Sequence, residues 1–101
     1  MEKSFQEVLD KHGCTHLYTI KDISASAEIH KCKNVLVILL HEGMEYRLLA
    51  IHGRILFNKY FLVGDHEREQ QALDLLDTVI QELKERPLGA NNGCDRASRE
   101  A

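Results

Sequence analysis

Residues 34–63 constrain the fold more than any other part of the chain. Three apolar runs (35–40, 46–51 and 55–63) are separated by two short breaks, which contain Gly43 and Gly53. Short runs rich in β-branched and aromatic residues, joined through glycine, are typical of consecutive antiparallel hairpins. The stretch therefore predicts a three-stranded antiparallel meander at the centre of the domain.

The two breaks also predict which side chains share a face of this meander. If Glu42-Gly43 and His52-Gly53 are two-residue loops, Leu39 lies opposite Tyr46 and Ala50 opposite Ile55. Side chains alternate between the two faces of a sheet. One face is then almost wholly apolar, and we expect it to be the core face: Val35, Val37, Leu39, Tyr46, Leu48, Ala50, Ile55, Phe57, Phe61 and Val63.

The opposite face, called the mixed face below, combines large aliphatic side chains with charged and polar ones. A sheet wetted on one side normally shows a cleaner polar alternation there. Full burial of one large apolar side chain contributes roughly 1.5–3 kcal/mol, so we expect this face to be covered, by the first helix, by a second copy, or by another protein or a small ligand. The aliphatic members are Leu36, Ile38, Leu40, Leu49, Ile51, Leu56 and Leu62, and the polar ones are Glu45, Arg47, Arg54, Asn58 and Tyr60.

A helix is predicted near each end of the chain. Ser4 and Glu7 have the form of a capping box, and Gly13 is a natural stop for a first helix of about two turns. A long helix of about 20 residues follows an N-cap at Asp65 and ends before Pro87. Its apolar stripe is wide enough to cover the core face, and it comprises Leu73, Leu76, Ile80 and Leu83.

The segment between the first helix and the meander is harder to interpret. Residues 15–20 predict a strand in which His16, Tyr18 and Ile20 point the same way. Residues 21–32 fit either a helix capped by Asp22 or a strand, and alternation favours a strand over 27–32, hairpinned to the meander through residues 33–34.

These elements predict a single α+β domain over residues 1–87. Its sheet is mainly antiparallel with four to five strands, the three-strand meander lying at its centre, and a short N-terminal and a long C-terminal helix pack on it. Residues 88–101 lack periodicity and predict a disordered tail. A chain of 101 residues suffices for one domain with a modest core.

Composition limits the classes of partner. The net charge of −3 and the pI near 6.0 disfavour nucleic-acid and membrane-surface binding, which call for a basic patch. The first seven residues lack the apolar core of a signal peptide, and no apolar run is long enough to span a bilayer. Cys14, Cys32 and Cys94 form an odd set, so we expect reduced thiols in a cytoplasmic protein.

Parts of the sequence fit three kinds of site chemistry, but each part also has a plainer interpretation. Cys14 and Cys32, with nearby histidines, could bind zinc, but the spacing matches no zinc signature. Cys14 could be a nucleophile, but it follows a helix C-terminus, where the dipole disfavours a thiolate. Carboxylates near turns could act as acids or bases, but such groups are usually solvated. The histidines concerned are His12, His16 and His30, and the acid–base candidates are Glu42, Glu45, Asp65, His66 and Tyr60.

The sequence therefore predicts no catalytic residue, cofactor or metal site, and it leaves the enzyme question open, leaning against catalysis. The leading hypothesis is a non-enzymatic protein-interaction or regulatory module that self-associates as a homodimer through the mixed face. Two alternatives stay open: the first helix and residues 15–32 cover that face, or a small ligand, metal ion or substrate occupies a groove on it. The candidate interface residues are Leu36, Ile38, Leu40, Glu45, Arg47, Leu49, Ile51, Leu56, Asn58 and Tyr60.

Overall fold

The computed structural model describes residues 3–88 as a five-stranded antiparallel sheet with one helix before it and one after it. The strands lie in the sheet in chain order, each paired with the next. This confirms the predicted α+β class. The predicted tail falls outside the described residues, apart from Leu88. The elements are α1 (Phe5–Lys11), β1 (Thr15–Lys21), β2 (Ala25–Cys32), β3 (Val35–Glu42), β4 (Glu45–Ile51), β5 (Ile55–Leu62) and α2 (His66–Leu83).

The capping box predicted for α1 is confirmed. The backbone N–H of Glu7 donates to Ser4 Oγ over 3.1 Å, and the backbone N–H of Ser4 donates to Glu7 Oε1 over 2.8 Å. Two otherwise unpaired N–H groups of the first turn are thereby satisfied. Gly13 follows the helix with φ +65°, a conformation that glycine adopts without steric cost.

The long helix α2 begins and packs as its pattern predicts. Asp65 is the N-cap, and its carboxylate accepts from the backbone N–H of Arg68 over 3.2 Å. The helix lies on β4 and β5 and also contacts α1. Its buried apolar residues are Ala72, Leu73, Leu76 and Ile80.

The meander has the predicted strands, but its register is shifted by two residues in both hairpins. Leu39 lies opposite Leu48 rather than Tyr46, because the first loop is formed by residues 43–44. Ala50 lies opposite Phe57 rather than Ile55, because the second loop spans residues 52–54. A shift of two residues preserves the face of each side chain, since the strand period is two.

Two residues assigned to the core face do not belong to the core. Ile55 is 57% exposed and Val63 is 46% exposed. The pairing of β4 with β5 is irregular between Ala50 and Ile51, which puts Ile55 out of the expected alternation. Val63 follows the end of β5 and lies outside the sheet.

The segment before the meander forms two further strands. β2 confirms the strand reading of residues 27–32, and the turn after it includes Lys33 at φ +56°. The pairing of β1 with β2 shifts between His16 and Tyr18. His16 pairs with His30, and Tyr18 pairs with Ile29, so the expectation that His16 and Tyr18 point the same way is wrong.

Both helices pack against the same face of the sheet. Val8 and Leu9 of α1 join a single buried cluster with α2 and the core-face residues of β3, β4 and β5. The alternative in which α1 and residues 15–32 cover the mixed face is therefore wrong: α1 lies on the core side, and β1 and β2 extend the sheet sideways. The sheet members of the cluster are Cys32, Val35, Val37, Leu48, Ala50, Phe57 and Phe61.

Candidate functional site

The structure brings the ten candidate interface residues onto one face of the sheet. Ile38 lies opposite Leu49, and Leu49 lies opposite Asn58, which forms a row across three strands. The neighbouring rows, two residues away on either side, follow the same alternation. One of these rows pairs Leu36 with Ile51, and the other runs from Leu40 through Arg47 to Tyr60. Glu45 lies opposite Leu62. Leu56 precedes the core-facing Phe57 in β5 and therefore faces the other way.

The aliphatic side chains at the centre of this face are half-buried by their neighbours in the sheet alone. The six aliphatic residues among the interface candidates all remain partly exposed, whereas Val37, Leu48 and Ala50 on the core face are fully buried. Because both helices lie on the core side, residues 3–88 provide no helix that covers the mixed face.

The mixed face extends further than the sequence indicated. Tyr18 lies opposite Ile29, and Ile20 lies opposite Ala27, so β1 and β2 add these four residues. Tyr18 and Ile20 are 54% and 56% exposed. The alternation of Ala25, Ala27 and Ile29 in the sequence could have predicted that β2 contributes residues to the mixed face. It did not decide the matter, because the same residues also fit a helix.

Polar side chains at one side of the mixed face form hydrogen bonds and an ion pair with one another. The Arg47 guanidinium donates to Glu45 Oε2 over 2.9 Å and to Asn58 Oδ1 over 3.1 Å. Its Cζ atom lies 5.8 Å from the centroid of the Tyr60 ring, within the range of a cation–π contact. Arg47 therefore contacts Glu45, Asn58 and Tyr60 at the same time. A polar ligand on this face would have to compete with these contacts.

Cys14 and Cys32 form a disulfide, so the expectation of separate reduced thiols is wrong for this pair. The bond joins the residue before β1 to the last residue of β2, where the two strands begin and end side by side. Neither sulfur is then a free nucleophile or metal ligand. Cys94 lies outside the described residues.

The histidines of the proposed metal cluster have separate surroundings. The rings of His16 and His30 lie 5.0 Å apart, and His30 also meets Phe5 edge-on. His12 points instead into the contact between α1 and α2. Within residues 3–88, no group of three or more His, Cys, Asp and Glu side chains could hold a metal ion.

His12 belongs to a buried polar network with Asp77. His12 Nε2 lies 2.7 Å from Asp77 Oδ1, and Lys84 Nζ lies 3.1 Å from His12 Nδ1. Since a lysine ammonium can only donate, Nδ1 accepts and Nε2 carries the proton donated to Asp77. Lys3 and Lys11 donate to Asp77 Oδ2 over 2.9 Å and 3.0 Å.

This network controls the ionisation of Asp77. Burial acts to raise the pKa of its carboxyl, but hydrogen bonds from Lys3, His12 and Lys11 outweigh burial and hold the pKa far below its usual range. The network therefore ties α1 and the residues before it to α2 through a carboxylate that is charged at neutral pH. We assign it a structural role, because His12 is fully covered and cannot meet a substrate.

The remaining acid–base candidates have ordinary surroundings. Glu42 and Glu45 face each other at the β3–β4 turn. Asp65 caps α2, and His66 lies 3.5 Å from Glu69 on the first turns of that helix. The structure thus separates Asp65 and His66, which begin α2, from Glu45 and Tyr60, which lie on the mixed face.

Neither α1 nor α2, the helices of residues 3–88, is long and apolar enough to cross a membrane. Comparison with known proteins finds no family model, no curated protein and no solved structure that matches this chain.

Proposed function

We propose that this protein is a non-enzymatic interaction module that acts as a homodimer, with the mixed faces of two copies packed together. The observation that carries the proposal is the placement of both helices on the core face. Residues 3–88 thereby leave a broad sheet surface, rich in leucine and isoleucine, without a helix over it.

The energetic argument rests on six half-buried aliphatic side chains. Full burial of such a side chain contributes roughly 1.5–3 kcal/mol, and these six are at most about one-third exposed, so completing their burial contributes at most about 3–6 kcal/mol per copy. This gain is comparable with the net stability of a small domain, roughly 5–15 kcal/mol. A contiguous apolar patch that is rimmed by polar residues is typical of an interaction site. The side chains are Leu36, Ile38, Leu40, Leu49, Ile51 and Leu56.

A second copy suits this face because the face carries both signs of charge around an apolar centre. Lys31 and Glu42 lie near opposite ends of it, while Ile38 and Leu49 occupy the middle. In a two-fold symmetric dimer the same surface of both copies forms the interface. Charged residues of opposite sign at its edge can therefore pair between the two copies. Two sheets that pack face to face interdigitate their side chains across about 10 Å.

Size-exclusion chromatography with light scattering tests the proposal. We expect the wild type to have twice the monomer mass, and Leu49→Glu to have the monomer mass, because the new carboxylate would be buried between two sheets. Leu75→Glu is the matched control. It introduces the same charge at a residue that is 38% exposed on α2, the helix that packs on the core side of the sheet, and should stay dimeric.

Circular dichroism of Leu49→Glu shows whether the variant is folded. A folded Leu49→Glu that elutes with the wild type, or a wild type that stays monomeric up to millimolar concentration, would contradict self-association through this face.

A ligand in a groove of the mixed face is the competing function. The mutual pairing of Arg47 with Glu45 and Asn58 gives that alternative no support.

The cytoplasmic location stays part of the proposal, and the disulfide weighs against it. Stable disulfides form in oxidising compartments, and cytosolic ones are usually transient. Alkylation of free thiols in intact cells measures whether Cys14 and Cys32 are oxidised there. A bond that is fully formed in cells would contradict a cytoplasmic, reducing location.

A further inference from the structure

A cavity lies on the core side of the sheet, away from the mixed face. It has a volume of about 310 Å³ and opens between the start of α1, the start of α2 and the ends of β3, β4 and β5. This is near the lower limit of small-molecule sites, about 300 Å³. Most of its wall is apolar, and the residues that matter here are Phe5, Leu39, Tyr46, Phe61, Leu73 and Glu69.

The apolar wall is formed by packed side chains of the sheet and the helices. Tyr46 stacks on Phe61 with ring centroids 5.4 Å apart, and His41 stacks on the other side of Tyr46 at 4.1 Å. Leu73 is buried in the domain core. The stacked rings and the leucine give the cavity an apolar surface of the kind on which a hydrocarbon group binds.

Glu69 is the charged side chain in the wall, and it determines which ligands fit. Its side chain is 33% exposed, so it borders the cavity and also reaches solvent. Its Oε1 atom lies 3.5 Å from Nδ1 of His66 in the same turn of α2. A ligand with a carboxylate would bring a second negative charge to Glu69, whereas an ammonium group would pair with it and face the aromatic rings.

The N-terminus of α2 does not reverse this preference. A helix N-terminus attracts anions, but Asp65 already caps this one, and Glu67 and Glu69 add two carboxylates in the first turn. Arg68 is engaged by Asp65 at 3.5 Å. The local charge that a ligand meets is therefore predominantly negative.

We propose that the cavity binds small amphiphilic amines, with the hydrocarbon body against Tyr46, Phe61 and Leu73 and the ammonium group on Glu69. This site is independent of the proposed dimer, because its walls lie on the helix side of the sheet.

Titration with three probes of equal chain length tests the proposal: octan-1-amine and octanoate below their micelle concentrations, and octan-1-ol below its solubility limit. Methyl resonances of Leu39 and Leu73 in a ¹H–¹³C spectrum report occupancy. We expect the amine to bind about tenfold more tightly than the alcohol, and octanoate to bind most weakly. Glu69→Gln should remove the advantage of the amine and leave the affinity for the alcohol unchanged.

Glu67→Gln is the matched control, since it removes the same charge from the same turn at a residue outside the cavity wall. It should bind all three probes as the wild type does. Absence of saturable shifts with the amine, octanoate binding as tight as that of the amine, or an amine preference that survives Glu69→Gln would each overturn the proposal.

Discussion

Leu48 and Leu49 are neighbours in β4 but have opposite surroundings. Leu48 is fully buried in the cluster beneath the helices, whereas Leu49 is half-buried on the mixed face opposite Ile38. Leu48 belongs to the core that stabilises one copy. Leu49 belongs to the surface through which we propose that two copies associate.

Alanine at these two positions should therefore lower stability in different ways. Leu48→Ala leaves a cavity in the core and should cost about 3 kcal/mol of unfolding free energy at any protein concentration. Leu49→Ala should cost about 1 kcal/mol in the isolated copy and should mainly weaken association. Urea unfolding at several protein concentrations measures both effects. Equal and concentration-independent losses in the two variants would contradict the dimer.

Asp77 should make acid stability depend on pH in a defined direction. Its pKa is lowered in the folded state, so its contribution is fully present above the unfolded value of about 3.9 and is lost as the pH falls toward the folded value. Asp77→Asn should cost on the order of 3 kcal/mol at neutral pH. The difference between wild type and variant should shrink below about pH 4.

Urea unfolding between pH 3 and pH 7 checks this prediction. Asp74→Asn is the control, because Asp74 contacts the same Lys3 but its side chain is 64% exposed. Its effect should stay below about 1 kcal/mol, as for other surface ion pairs. Parallel pH profiles for wild type and Asp77→Asn would show that the buried network does not contribute to stability.

The Cys14–Cys32 bond should stabilise the domain by about 3 kcal/mol, since it closes a loop with a sequence separation of 18 residues. Reduction, or the double change to alanine, should lower the unfolding midpoint accordingly. Cys94→Ser should leave the bond intact, and mass spectrometry of unreduced peptides should link residues 14 and 32. Three free thiols in protein purified without reductant would contradict the pairing.

The elements that could be predicted from the sequence are those set by local patterns. The spacing of Leu73, Leu76 and Ile80 specifies one buried helix face, and the capping groups of Ser4 and Asp65 specify where the helices begin. Residues 35–40 are apolar on both faces, so they form a central strand in any register. Each of these signals depends only on neighbouring residues.

The features that were missed depend on contacts between distant residues. The register of the meander depends on which two or three residues form each turn, and the pairing itself decides that. The irregularity that turns Tyr18 toward the mixed face arises from pairing with β2. The disulfide likewise follows from the alignment of β1 with β2, which the spacing of Cys14 and Cys32 does not reveal.

The partial prediction of the mixed face has the same explanation. Its members in β3, β4 and β5 follow from simple alternation, because a two-residue shift in register leaves every side chain on its face. The members in β1 and β2 required knowledge that residues 25–32 form a strand and that the pairing before Tyr18 is shifted.

The central claim is that the mixed faces of two copies are in contact. Isotope-filtered nuclear Overhauser spectroscopy on an equimolar mixture of ¹³C-labelled and unlabelled protein tests it most directly. We predict intermolecular contacts at the methyl groups of Ile29, Ile38 and Leu49, and none at Val37 or Leu48 in the core. The absence of intermolecular contacts at millimolar concentration, or contacts confined to α2, would contradict the account.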